Sequence, residues 1–271
     1  MSPAEPGVSE VSVGAEILVR AIPGVPTVDR GDDLVTLIIA SLERANVGLR
    51  DGDVLVIASK IISRAEDCFV DLSTIEPSKD AKALGAEVDK DPHLVELILR
   101  ESESISRKRK GALIVRHRLG FVSANAGIDA SNAAPADAPA HSGPWVLTLP
   151  RNPDATARKL HADLAARYSA DVGVIVTDSW GRPFRAGTVG FAIGSSGIPP
   201  IWDRRGATDR HGRKLEATAT AVADAVAAAA DLVAGQADEG RPVILVRGLR
   251  FKSSAESSHA LLRDQENDLY A

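Results

Sequence analysis

Two short segments concentrate residues that no hydrophobic core would ask for: NAGIDASN at Asn125 to Asn132 and TDSWGRPFR at Thr177 to Arg185. Each sets one acidic residue, Asp129 or Asp178, among small, hydroxylated or basic neighbours. Carboxylate oxygens are hard ligands, suited to holding Mg²⁺ or Mn²⁺ against a nucleotide phosphate. Arg182 and Arg185 follow Asp178 closely enough to bring guanidinium charge to the same anionic ligand. A single loop aspartate more often caps a helix or closes an Asx-turn. Two such segments, with cations and hydroxyls beside both, favour metal-assisted phosphate chemistry over two unrelated caps.

Stepping outward, the elements that would position these groups are readable. DGDVLVIAS at Asp51 to Ser59 predicts a turn and then a continuous apolar strand covered on both faces, delivering Ser59 and Lys60 at its carboxyl end. Ligands of open α/β sheets bind at that end of the strands. Val172 to Val176 predicts a second buried strand, with TDSWGRPFR at its carboxyl end. A strand over Glu16 to Ile22, a tight loop through Pro23, Gly24 and Pro26, and a helix over Leu34 to Arg44 capped from GDD open the fold. From Ser78 the pattern is helical through Glu103, broken by Pro92. Two strands, Gly111 to Arg116 and Gly120 to Ala124, lead into NAGIDASN, and a long loop of Ala, Pro, Ser and Gly runs from Asn132 to Trp145. Helices are predicted over Asp154 to Tyr168 and Glu216 to Ala234, and a final strand over Pro242 to Arg247 ended by Gly248. Strands and helices mix without strict alternation, so the expected class is α/β to α+β, with mixed, partly antiparallel sheets and flanking helices.

Composition narrows the classes of function. The 271 residues carry a formal net charge of −5, which offers nucleic acid no long-range attraction. The basic run Arg107 to Lys110 reads as a solvated face or loop after a helix, because aromatics at 4% leave little for base stacking. One cysteine, Cys68, excludes an internal disulfide and points to a reducing, cytoplasmic setting. No apolar run is long enough to span a bilayer, and the N-terminus lacks the basic and apolar regions of a secretory signal. Neither a P-loop, a GxGxxG turn, a GxSxG elbow nor an HExxH pair is present. The six histidines are scattered and none stands out as a base. Trp180 reads as a packed aromatic more readily than as a ring-binding platform.

In order and spacing, GVPTVDRGDDL, DGDVLVIASKIISRAE, NAGIDASN, VGVIVTDSWGRPFRAGTVGFAIGSSGI, ATDRHGRKLEATATAVADAVAAAADLVAG and PVILVRG resemble the coenzyme F420-0:L-glutamate ligase family, over nearly everything from Ile22 to Gly248. The resemblance implies a GTP-dependent ligase that adds L-glutamate to the lactyl carboxylate of the deazaflavin F420-0 through an acyl phosphate, with extension into a γ-linked tail as a further candidate step. It implies two Mn²⁺ or Mg²⁺ ions per site, K⁺ as a further candidate ion, and a homodimer; composition and hydropathy argue against a nucleic-acid or a membrane partner. By matching segments, Asp129, Asp178 and Ser179 are implied metal ligands. Gln236 falls where some relatives carry a glutamate, and is a fourth. The implied nucleotide site comprises the loop Val25, Pro26, Thr27 and Val28, then Ser59, Lys60, Arg64 and Asn132, and the segment Leu232, Val233, Ala234, Gly235, Gln236, Ala237, Asp238 and Glu239. The expected organisation is a frayed tail over 1–14, a ligase domain over 15–250, and a C-terminal tail over 251–271 with no feature tied to catalysis and without the nitroreductase-like domain fused in some relatives. A non-catalytic module of the same fold that binds a nucleotide or deazaflavin, and a ligase for another carboxylate, are the alternatives.

Overall fold

The computed structural model describes residues 11–264 together with Glu266 and Asp268. In chain order its elements are β1 (Val11–Ala21), α1 (Leu34–Arg44), β2 (Val54–Ala58), α2 (Ser59–Ala65), β3 (Phe69–Asp71), α3 (Lys79–Val88), α4 (Pro92–Arg100), β4 (Ser102–Arg109), β5 (Ala112–His117) and β6 (Val122–Ala124). The second half supplies β7 (Trp145–Leu147), α5 (Pro153–Tyr168), β8 (Gly173–Gly181), β9 (Thr188–Ser196), β10 (Ile201–Asp203), β11 (Ala219–Ala221), α6 (Val222–Ala234) and β12 (Val243–Phe251). The architecture is mixed α/β, with several sheets and six α-helices among the described residues.

A five-stranded sheet in the order β1-β12-β2-β8-β9 forms the centre. Only β2 and β8 run parallel; the other neighbours are antiparallel. Alternation decides what each face buries. Leu55 and Ile57 of β2, Val174 and Val176 of β8, and Val243 and Leu245 of β12 point into the core beneath α1 and α5. Val54, Val56, Ile175, Ile244 and Val246 point the other way, against Val222, Ala223, Val226 and Ala227 of α6. Small residues let that helix come close: a Cβ on Gly190 of β9 would lie 2.7 Å from the Ala227 carbonyl oxygen.

Beside the large sheet, α3 and α4 pack on the three-stranded sheet β4-β5-β6 around Ala81, Val88, Val95, Ile98, Leu113 and Val115. Side-chain caps on Asp33, Ser78, Asp91 and Asn152 fix the starts of α1, α3, α4 and α5, each contributing about 1 kcal/mol.

Several predicted boundaries move, each for a physical reason. The first strand already runs at Val11, the first described residue, ahead of the expected Glu16, because β12 does not end at Gly248. Gly248 sits at φ +121, where its missing Cβ lets Glu16 O approach to 2.5 Å of the Cβ position. Pairing resumes beyond it, with Val11 opposite Phe251. The predicted helix through Glu103 ends at Arg100, and the basic run lies mostly in β4. There Lys108 pairs with Glu87 at 2.7 Å, a solvent-exposed contact that adds little. Helix α6 starts at Val222 instead of Glu216, since residues 219–221 pair with β10 as a hairpin. Strand β8 runs to Gly181, so Asp178 lies within a strand and not in a loop past its end. Strand β9 supplies the partner there, after β2 has stopped at Ala58.

Candidate functional site

Strand β2 is apolar until Ala58 and then passes directly into α2, so Ser59 and Lys60 emerge at a fixed point beside the end of the parallel pair. These adjacent residues reach the two aspartates separately. Ser59 Oγ donates to Asp178 Oδ2 at 3.0 Å, and Lys60 Nζ pairs with Asp129 Oδ2 at 2.7 Å. Segments far apart in sequence are thereby gathered at one end of the central sheet.

Asp178 stands where β8 shifts register against β9, between Val176 and Thr177. It keeps partial solvent contact, but protein crowds it closely. Its Oδ1 accepts the backbone N–H of Ser179 at 2.6 Å. Burial raises the carboxyl to about 6, against the hydrogen bonds from Ser179 and Ser59, and the Asp129 charge adds to the rise.

Asp129 has the opposite setting. Its backbone forms an isolated two-way bridge to Leu147 of β7, at 2.9 and 2.8 Å, which fixes the residue to the β3-β7 pair. The preceding turn places Asn125, Ala126 and Gly127 all at positive φ, and Ala126 is fully buried there. Burial pushes the Asp129 carboxyl up, but Lys60 and the Ser131 hydroxyl and N–H outweigh it and hold the group below the usual carboxylate range. Lys60 also donates to the carbonyl and hydroxyl of Ser131, both at 3.0 Å.

On the other side of β8, Ser179 Oγ donates to Gln236 Oε1 at 2.8 Å, and Gln236 Nε2 donates to Asp231 of α6. Of the implied segment 232–239, Gln236 alone shows a direct contact with this group. Leu232 is 88% exposed, and Glu239 folds back to accept the Ala237 N–H at 2.9 Å. Glycine 235 takes φ +80 to let the chain leave the helix.

Arg64 is nearly buried, and its guanidinium is committed to the protein. It donates to the carbonyls of Val28, Asn132 and Ala134, lies 3.8 Å from Asp29 and stacks over Phe69. Asp29 in turn accepts the Ala136 N–H at 2.7 Å. Arg64 is thus a clamp that joins the loop Val25 to Val28 to the loop after Asp129, with Val28 buried and Pro26 and Thr27 exposed. Lys60 is the cation left facing the carboxylates. Arg182 lies on the exposed turn between β8 and β9, donating to Gly187 O; Arg185 is exposed on the same turn. Trp180 is packed, as its type suggested, stacked between Phe121 and Phe191 at 4.9 Å on each side.

The donor chemistry of this cluster fits a hard divalent cation: two carboxylates, a hydroxyl and an amide oxygen, all oxygen ligands. Among the described residues no three His, Cys, Asp or Glu gather as a metal site. Asp129 and Asp178 on one side of β8, and Ser179 and Gln236 on the other, are thus the oxygen donors that an ion bound with a phosphate ligand would find here. Sequence reasoning missed Ser131, Asp231 and Asp29. Ser131 lay inside NAGIDASN; Asp231 meets Gln236 only five residues on, once the chain has turned out of α6, whereas Asp29 carries no local signal because Ala136 and Arg64 are distant in sequence.

Comparison with known proteins identifies the family. Residues 24–248 match the family model described as F420-0:Gamma-glutamyl ligase. The chain is 45% identical over 257 residues to the coenzyme F420:L-glutamate ligase of Methanopyrus kandleri, covering 93% of this chain and 96% of that protein. It is 44% identical over 251 residues to the enzyme of the same name from Methanothermobacter thermautotrophicus, covering 92% and 96%. It is 39% identical over 248 residues to that from Archaeoglobus fulgidus, covering 92% and 94%. The chain belongs to the F420-0:gamma-glutamyl ligase family.

Proposed function

We propose that the chain is a ligase of coenzyme F420 biosynthesis, joining the amine of L-glutamate to the lactyl carboxylate of F420-0 at the expense of GTP. The supporting observation is the convergence of Asp129 and Asp178 through adjacent residues, Lys60 on one and Ser59 on the other. An unreactive carboxylate needs activation before an amine can displace anything from it. In the proposed route a carboxylate oxygen of F420-0 attacks the γ-phosphorus and GDP leaves. The glutamate nitrogen then attacks the acyl carbon, phosphate departs and the amine loses a proton. Two Mn²⁺ or Mg²⁺ ions, with K⁺ as a further candidate, would neutralise the phosphoryl oxygens when bound.

The residues divide that work by their settings. Lys60 holds Asp129 ionised and oriented. Ser59 and the Ser179 N–H fix both oxygens of Asp178, so a partly buried carboxylate is presented in one rotamer. Arg64 keeps the Val25 to Val28 and Asn132 loops together as walls for the nucleotide. A homodimer is part of the same proposal. Val13, Ile17 and Leu18 of the edge strand β1 are exposed apolar residues that a second copy would cover. Among the described residues no helix is long and apolar enough to cross a membrane.

The test is direct. Purified protein, F420-0, L-glutamate, GTP and Mn²⁺ are incubated and the products weighed by mass spectrometry, with ATP as the comparison nucleotide. Glutamylated F420 with stoichiometric GDP is the expected result; no mass increase with either nucleotide would refute the assignment.

A further inference from the structure

A cavity of about 470 Å³ lies apart from the paired aspartates: none of Asp129, Asp178, Lys60 or Gln236 lines it. Its size is that of a small-molecule site. One wall is aromatic, made by Phe121, Trp180 and Phe191, whose rings stack in series at 4.9 Å spacings with interplanar angles of 20° and 14°. The stack ends on the fully buried His117, 5.2 Å from Phe121, so the wall is held rigidly from behind.

This wall adjoins the chemistry. Trp180 is two residues along β8 from Asp178 and shares its face of the sheet, and Phe191 is the cross-strand partner of Asp178. A molecule lying against the rings therefore has one end beside the Asp178 carboxylate.

The opposite wall is the C-terminal segment, with Ser258, His259, Leu261 and Leu262. Asp154 binds it in place, its Oδ1 accepting the N–H groups of both Ser195 and Ser258 at 2.8 and 3.0 Å. Leu262 packs over Gly120, where a Cβ would stand 2.6 Å from its Cδ1. The described part of that tail is thus a built wall.

Electrostatics selects among possible occupants. Glu103, Asp154 and Asp224 line the cavity against Arg118, which is already paired with Glu101 at 2.8 Å. Such a lining repels the phosphates of a nucleotide and suits an uncharged ring. We infer that this cavity, between the Phe121–Trp180–Phe191 stack and the C-terminal segment, receives the flat conjugated ring of the acid substrate, and that the ring's anionic tail leaves it toward Asp178. The inference rests on the ligase reading and adds the place and the wall that select the acid.

Two exposed rim residues allow a test without disturbing the core: Val122→Trp and His259→Trp. The probe is the deazaflavin ring with its sugar-alcohol chain alone, lacking phosphate and carboxylate, titrated by its own fluorescence. Wild type should bind it, and each variant should weaken binding by about tenfold or more. The KM for F420-0 should rise in parallel, while the KM for GTP and the melting temperature stay unchanged. If both variants keep wild-type ring affinity and KM, or if wild type does not bind the ring probe, the inference is overturned, and glutamylation of F420-0 by that same wild type leaves the ligase reading standing. If the variants lose the ring but wild type never glutamylates F420-0, the cavity assignment stands and the ligase reading falls.

Discussion

The two aspartates occupy opposite electrostatic regions. Asp129, on a loop pinned to β7, has a cation at 2.7 Å and a hydroxyl and N–H on its other oxygen, and sits below the usual carboxylate range. Asp178, inside β8, has a hydroxyl and an N–H but no cation in contact, and burial raises it to about 6. The first region is neutralised by the protein's own lysine. The second carries a charge that Lys60 offsets only from a distance, less than burial costs it, which favours a cation arriving from outside. The difference teaches that two carboxylates offered to one ligand can be prepared in opposite ways, Asp129 ionised by a lysine in contact and Asp178 held by burial in need of a cation.

Breaking the comparison at either aspartate should have the largest effect. Asp178→Asn and Asp129→Asn should each lower kcat/KM by about 10³-fold, several kcal/mol of lost charge stabilisation, with circular dichroism unchanged. Activity within a few-fold of wild type in either would contradict the roles given.

The next effect is in stability and separates the regions by sign. Because the folded pKa of Asp178 is raised, the folded state binds the extra proton, so stability falls as pH rises from about 4 through about 6. In metal-free protein, Asp178→Asn should therefore gain stability over wild type by about 2 to 3 kcal/mol at pH 7.5 and almost nothing at pH 4. Asp129 is lowered, so Asp129→Asn should lose stability above pH 4. Denaturant melts at the two pH values read both; equal shifts for the two variants would erase the contrast.

Lys60→Met removes the internal cation, and should cut kcat by about tenfold while changing stability by less than about 1 kcal/mol, since the pair is about one-third exposed. The smallest effect belongs to the far side of β8. Gln236→Ala frees the Ser179 hydroxyl and should raise the Mn²⁺ concentration needed for half-maximal rate by only a few-fold. A loss as large as that of Asp178→Asn would place Gln236 at the centre of the site instead of its edge.

Much of this arrangement was legible in the sequence where local pattern and tertiary role coincide. The apolar run ending at Ser59-Lys60 states both a buried strand and its functional end, and the Pro92 break and the α1 cap are written in adjacent residues. Legibility failed where a distant partner decided the conformation. Residues 219–221 have helical neighbours and became a strand because β10 lies opposite, and Gly248 became a close-approach point because Glu16 meets it. Arg64 carries the residue type of a phosphate ligand, yet three carbonyls from two other loops claim it. The cavity wall at Ser258 to Leu262 had no sequence signal, because its anchor, Asp154, reads as an ordinary first-turn acid of α5.

The central claim is that both carboxylates act on the same bound ions. Electron paramagnetic resonance of Mn²⁺, titrated into wild type, Asp129→Asn and Asp178→Asn with a non-hydrolysable GTP analogue, tests it most directly. The account expects tight, nucleotide-dependent loss of the free Mn²⁺ signal in wild type and its return in each variant. Unchanged Mn²⁺ affinity in both variants would contradict it.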